Sequence, residues 1–257
     1  MRMTDALIDC FLVGRRTFVR RPIFCHNALE MQHYWNNLKM DVEAKRLLLL
    51  GEKHGADINP DIIGMFVSKL GFNTLAIEIE PKWQKTIDTL RKYEASQVFR
   101  LIATEPWIFK SGVISLKHLI LFKNFLRLNN NKIITIGVQN KNWNLGDKLT
   151  TRYLTKLIKK GDKTLVIMGN LHTRKSTFKT QSEKFIPLGY HLRDSSIAVR
   201  IRYGQGTIFN FRKMMVQDME ASKLIKKSDR GLIKSASKYF DYDYIITKKV
   251  KPLIRKI

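Results

Sequence analysis

Three short runs hold residue types suited to acid–base or metal chemistry: Gly51-Glu52-Lys53-His54, the carboxylates Glu78 and Glu80 one residue apart, and Gly169-Asn170-Leu171-His172. Each follows an apolar run: Leu47-Leu48-Leu49-Leu50 before the first, residues 74–77 before the second and 164–168 before the third. Continuous apolar runs of this length read as strands covered on both faces. Each polar group therefore arrives at the carboxyl end of a strand, the edge where open α/β sheets bind ligands. Adjacent strands lie about 4.8 Å apart, so neighbouring strands would bring His54, Glu78 or Glu80, and His172 around one ligand. Two imidazoles and a carboxylate suit a divalent metal, and equally a general base with its orienting partner. A carboxylate pair at the end of a buried strand is costly to desolvate unless something pairs with it; the plainer alternative is a structural ion pair with one of the many lysines.

The elements that must position these groups alternate between strand and helix after residue 45, the pattern of βαβ units and a parallel sheet. Asn59 is placed to cap a helix with Pro60 at its first position, an apolar stripe through Ile62, Ile63, Phe66, Val67 and Leu70, and Gly71 at its end. Residues 74–80 read as one strand with Glu78 and Glu80 on a common face. Helical stretches over 83–102 and 115–128 lead to a third strand over 133–138, which delivers Gln139 and Asn140. A helix capped by Asp147 and closed by Gly161 returns to the strand over 164–168. Residues 196–203 and 207–211, joined by Gly204-Gln205-Gly206, read as a hairpin; 214–238 is polar and basic, helical or partly mobile; 242–247 reads as a last strand. The expected fold class is α/β: an open, mostly parallel sheet with helices on both faces and the site at the C-terminal ends of the strands. Residues 1–45 read as an N-terminal helical segment packed on the body, and 46–257 as a single α/β domain.

The chain has 257 residues, 47 lysines and arginines against 22 acidic residues, and a net charge of +25. Such a balance suits an anionic partner or an anionic substrate steered to the site. The basic residues are spread along the chain, and no nucleic-acid-binding motif is present. Cys10 and Cys25 lack zinc-type spacing and do not form a disulfide framework, which favours a reducing compartment. Asp5 and Asp9 interrupt the apolar N-terminal run, so it does not read as a signal peptide, and no segment reaches the length of a transmembrane helix. The expected localisation is cytoplasmic.

In order and strand context these motifs resemble the erythromycin-esterase/ChaN-like superfamily, which includes the Tiki/TraB-type proteins and a domain of a Pasteurella toxin. There a first strand ends in Gly-Glu-x-His or a close variant, a second in a glutamate and a later one in Gly-x-x-His. Gly51-Glu52-Lys53-His54, Glu78 in Ala76-Ile77-Glu78-Ile79, and Gly169-Asn170-Leu171-His172 match in turn. The first motif has the shorter ChaN/Tiki-like spacing, one residue less than that of the macrolide esterases. The resemblance implies hydrolysis of an ester or peptide bond in a small-molecule or peptide substrate. Its site would use Glu52, His54, Glu78 and His172 for catalysis, with His54, Glu78 and His172 as ligands of a divalent metal. Gly51, Glu80, Gln139, Asn140, Gly169 and Asn170 would support it. The alternative it implies is noncovalent haem or other ligand binding without catalysis.

The remaining candidates read more simply. His118 sits in a helical stretch as packing, His26 and His33 lie in the N-terminal segment against the sheet, His191 belongs to a loop or helix near the site, and Trp107 fills a core or lines a pocket.

Overall fold

A computed structural model describes residues 28–252, apart from 106, 107, 109, 110, 139, 180–182, 211 and 219–229. The tetraleucine run forms β1 (Leu47–Glu52), buried along its whole length. It is followed by α2 (Asn59–Leu70), which Gly71 ends in a left-handed conformation at φ 66° that suits glycine. α1 (Ala28–Lys45) precedes both. Then come β2 (Thr74–Ile77), the short α3 (Gln84–Asp88), α4 (Ala95–Ile102), α5 (Leu116–Leu126), β3 (Lys132–Thr135), α6 (Trp143–Leu157) and β4 (Thr164–Gly169). The C-terminal part holds β5 (Phe178–Lys179), β6 (Lys184–Phe185), α7 (Leu188–His191), β7 (Ile197–Tyr203), β8 (Gln205–Asn210), β9 (Arg212–Gln217), β10 (Arg230–Lys234) and β11 (Tyr242–Ile246).

Seven strands form one sheet in the order β10-β11-β7-β1-β4-β2-β3. All neighbours are parallel except β10 and β11. From β1 the chain moves outward to β2 and β3, returns as β4 between β1 and β2, then crosses to the far side of β1 for β7. The direction of winding thus reverses around β1 and β4, the kind of place where an open sheet leaves a crevice at its carboxyl edge. The period-two alternation of the strands supplies two cores. Leu48, Leu50, Leu75, Ile77, Leu165 and Ile167 face Leu38 and Val42 of α1, Ile62 and Phe66 of α2, and Leu119 and Phe122 of α5. Leu47, Leu49, Ala76, Val166 and Met168 face Leu154 of α6 and Leu188 of α7. Helices therefore cover both faces, as the α/β reading requires. None of the described helices is long and apolar enough to cross a membrane.

Several local expectations change. Asn59 is the first residue of α2 rather than its cap, a position taken by Ile58. Its buried side chain instead donates to the Lys53 carbonyl at 3.0 Å and accepts from the Tyr203 hydroxyl at 2.6 Å, which ties down the loop after β1. β2 stops at Ile77, and the Ile79 amide turns back to the Ile77 carbonyl at 2.8 Å, so Glu78 and Glu80 do not share a strand face. The helix expected over 83–102 is broken into α3, α4 and two 3₁₀ turns, Pro81–Trp83 and Thr89–Arg91. The expected hairpin of residues 196–211 does not form: β7 joins the central sheet beside β1, while β8 pairs with β9. Along β7 the buried Val199 and Ile201 alternate with the less buried Arg200 and Arg202. Gly206, at φ 140° and with no room for a Cβ against Val250, starts the separate ribbon. Of the described parts of 214–238, residues 214–217 belong to β9 and 230–234 to β10, and none is helical.

Candidate active site

The turn after β4 lies directly on the end of β1. Glu52 is paired in register with Gly169, and a Cβ on Gly51 would fall 2.3 Å from the Thr173 hydroxyl and 2.6 Å from Asn170 Oδ1. Glycine at 51 is what lets the Gly169–His172 turn sit there. Across β4, Glu78 extends from the end of β2, and its Oε2 accepts the Gly169 amide at 2.7 Å. Three of the predicted residues thus meet around the end of the central strand.

Glu78 stands between two imidazoles. His54 Nε2 is 3.4 Å from Oε2 and His172 Nε2 is 3.8 Å from Oε1. Both distances exceed the usual N–H···O range. The other nitrogen of each ring is firmly held: His54 Nδ1 lies 3.0 Å from Glu52 Oε1, and His172 Nδ1 lies 2.7 Å from Asp147 Oδ1. Asp147 is itself fixed, since its Oδ2 accepts the Leu188 amide at 2.8 Å. The cluster is a run of five groups, Glu52, His54, Glu78, His172 and Asp147, alternating acid and base.

The charges follow from this order. Burial by itself would lower the pKa of His54, but Glu52 and Glu78 on either side outweigh it and push it up to about 10. Burial would raise Glu78, yet His172, His54 and the Gly169 amide bring it down to about 2. Burial likewise opposes a charge on His172, and Glu78 and Asp147 reverse that effect, raising its pKa. Glu52 is only 2% exposed, and burial raises its pKa against the pull of His54. Its second oxygen, Oε2, is buried without a hydrogen-bond partner.

The cluster lines a cavity of about 750 Å³. Glu80 and Asn140 line it too but do not join the cluster: Glu80 pairs with Lys82 at 2.9 Å, and Asn140 accepts the Asn142 amide at 2.9 Å. Asn170 Oδ1 is buried without a partner beside Gly51. Gln139, His26 and Trp107 lie outside the described residues. His118 is buried rather than at the site; it closes a capping box with Ser115 at the start of α5, and burial lowers its pKa to about 3. His33 bonds Asn37 on the exposed face of α1, and His191 is exposed on α7.

Asp147 was misassigned by sequence. It reads there as a helix cap, but Asn142 caps α6 and Asp147 lies inside the helix, buried toward the sheet. A carboxylate among Gly146, Thr150 and Leu154 on the buried face of a helix was the available sign, because such a group needs a partner. Trp143, whose ring centroid is 6.2 Å from that of His172, and Arg174, on the loop after it, were also missed.

No three His, Cys, Asp or Glu side chains among the described residues are disposed to hold a metal ion. The two Nε2 atoms address different oxygens of Glu78 instead of one shared point. As arranged, His54, Glu78 and His172 offer no shared point for a metal, while oriented imidazoles and carboxylates of this kind can exchange protons.

No protein-family model matches the chain, and no curated protein matches it in sequence. Solved structures of similar fold include the following two. One is a mutant of erythromycin esterase EreC in its open conformation, at 11% identity and a TM-score of 0.59, covering 84% of this chain and 93% of that one. The other is a Bacillus cereus protein, at 12% identity and a TM-score of 0.52, covering 89% and 99%. At these identities the likeness is one of fold, and it is the fold that the three motifs led one to expect.

Proposed function

We propose that the chain is a hydrolase of an ester or peptide bond in which His54 moves the proton. The observation that carries this reading is the His54 imidazole, fixed at Nδ1 by the buried Glu52 carboxylate and presenting Nε2 to Glu78 in the cavity. Glu52 fixes the tautomer and ring plane, the task of the carboxylate behind a catalytic histidine.

In the resting site the flanking carboxylates hold His54 as an imidazolium. Loss of that proton exposes a lone pair on Nε2. A water oriented by the Glu78 carboxylate then gives its proton to Nε2 while its oxygen adds to the substrate carbonyl. His172, whose imidazolium form Glu78 and Asp147 favour against burial, stabilises the negative charge that develops on the carbonyl oxygen. The tetrahedral intermediate collapses, and the departing oxygen or nitrogen takes a proton from His54. An acid and an alcohol or amine leave. Neither a metal nor haem enters this scheme.

The test is hydrolysis of a panel of para-nitrophenyl esters and aminoacyl anilides by the wild type and by His54→Gln. Removing a general base costs about 10²- to 10⁴-fold in rate. Equal rates in the two proteins, or no turnover by the wild type across the panel, would sink the reading.

A further inference from the structure

Three arginines line the cavity beside the proposed catalytic groups: Arg174, Arg200 and Arg202. Two are already committed. Arg200 makes a two-pronged pair with Asp243 at 2.8 and 3.0 Å, and Arg202 does the same with Asp218 at 2.8 Å for both contacts.

Arg174 differs. Its guanidinium carbon lies 4.4 Å from the centre of the Phe178 ring and 4.9 Å from that of Tyr239. Its Nε is buried without a hydrogen-bond partner. Among the described residues it makes neither a hydrogen bond nor an ion pair. The two rings engage the guanidinium by cation–π attraction, which no carboxylate here supplements. Withholding the Nε–H from water without an acceptor is costly, while the rest of the partly buried guanidinium stays open to the cavity, and the best complement of such a fork is a planar oxyanion taken by two parallel N–H bonds. Arg174 stands two residues after His172 and lines the same cavity. Trp143, 53% exposed, and Met215, 81% exposed, line that cavity as well and add apolar surface to it.

We infer that Arg174 is an anion-recognition residue of this cleft, and that the substrate is an ester or amide that also carries a carboxylate or phosphate. The word substrate rests on the hydrolase reading; the anion subsite does not.

The experiment has two arms. In the first, monomethyl succinate and methyl phosphate are each titrated into the wild type, Arg174→Met and Arg174→Lys by calorimetry, with circular dichroism confirming that each variant is folded. A hydrogen-bonded ion pair of this kind predicts affinity for at least one anion, weakened about tenfold to a hundredfold in Arg174→Met. Arg174→Lys keeps the charge and loses the fork, so it should fall in between. Which of the two anions binds identifies the oxyanion. In the second arm, kcat/KM for para-nitrophenyl hydrogen succinate is divided by that for para-nitrophenyl butyrate. The ratio should be about ten or more in the wild type and approach one in Arg174→Met.

Equal affinities in wild type and both folded variants, or no binding of either anion up to about 10 mM, overturn the subsite. A ratio near one in the wild type overturns its role in substrate choice while leaving hydrolysis standing. Arg174-dependent binding without any turnover supports the subsite and removes the hydrolase reading instead.

Discussion

The carboxyl edge of the sheet carries charged groups on both sides of β1, and the two sides treat them differently. Toward β7 and β11 the pairs are closed: Arg200 and Arg202 meet Asp243 and Asp218 at 2.8 to 3.0 Å in two-pronged contacts. Toward β4 and β2 the pairs stop short, with the Nε2 atoms of His54 and His172 at 3.4 and 3.8 Å from Glu78. Closed pairs spend their electrostatics on holding the edge together. Open ones keep donors and acceptors for something that enters. The lesson is that the presence of buried charge does not mark a functional site; what marks it is charge oriented from behind and left unfinished in front.

The sharpest way to break this contrast is to remove the group between the two imidazoles. Glu78→Gln should lower kcat by about a hundredfold or more, the cost of losing one preorganised electrostatic group, while the sheet still folds; stopped-time ester assays measure it. On the closed side the pattern should invert. Asp243→Ala leaves the Arg200 guanidinium without its carboxylate while Arg202 keeps Asp218, and should destabilise by about 3 kcal/mol or more, read as a lower urea midpoint, whereas kcat on an uncharged ester should stay within about twofold.

A smaller effect is expected behind His172. Asp147→Asn places an amide nitrogen against either the imidazole or the Leu188 amide, and so loosens the ring without removing it. About a tenfold fall in kcat, reversed in part by Asp147→Glu, distinguishes an orienting role from a purely structural one.

The finest test is a pH profile. His54 becomes a base only when it loses its proton, so kcat/KM should climb toward an alkaline limb, and Glu78→Gln should move that limb to lower pH because a raising charge is gone. Stability should change too. The raised His54 pKa contributes stability fully below the unfolded value of 6.5 and loses it as pH rises through about 10. The lowered Glu78 pKa contributes above 4.5 and loses it as pH falls through about 2. Urea midpoints of the wild type should therefore peak between those ranges, and those of Glu78→Gln should vary less with pH.

How far the sequence foretold this arrangement depends on whether a residue's role is local. Glu52, His54, Glu78 and His172 were legible because an apolar strand that ends in a polar group declares where that group lies. Asp147 was not, since its partner is 25 positions away on another element and its own neighbourhood looks like a helix start. β7 was misread for a related reason: alternation fixes a strand but not its partner, and the choice of β1 over β8 is made by packing across the sheet. Arg174 was illegible because its meaning lies in a missing acceptor, which only three dimensions reveal.

The wide spacing of the cluster has a consequence for when in folding it can form. Glu52 comes from the end of β1, His54 from the turn after it, Glu78 from just past β2, Asp147 from α6 and His172 from the turn after β4. No hairpin or single helix holds more than a fragment of it, and parallel neighbours meet only after long stretches of chain have been ordered. The cluster is therefore completed only with the cooperative closing of the sheet, and a chain that frays at β4 loses its geometry and its fold in one event.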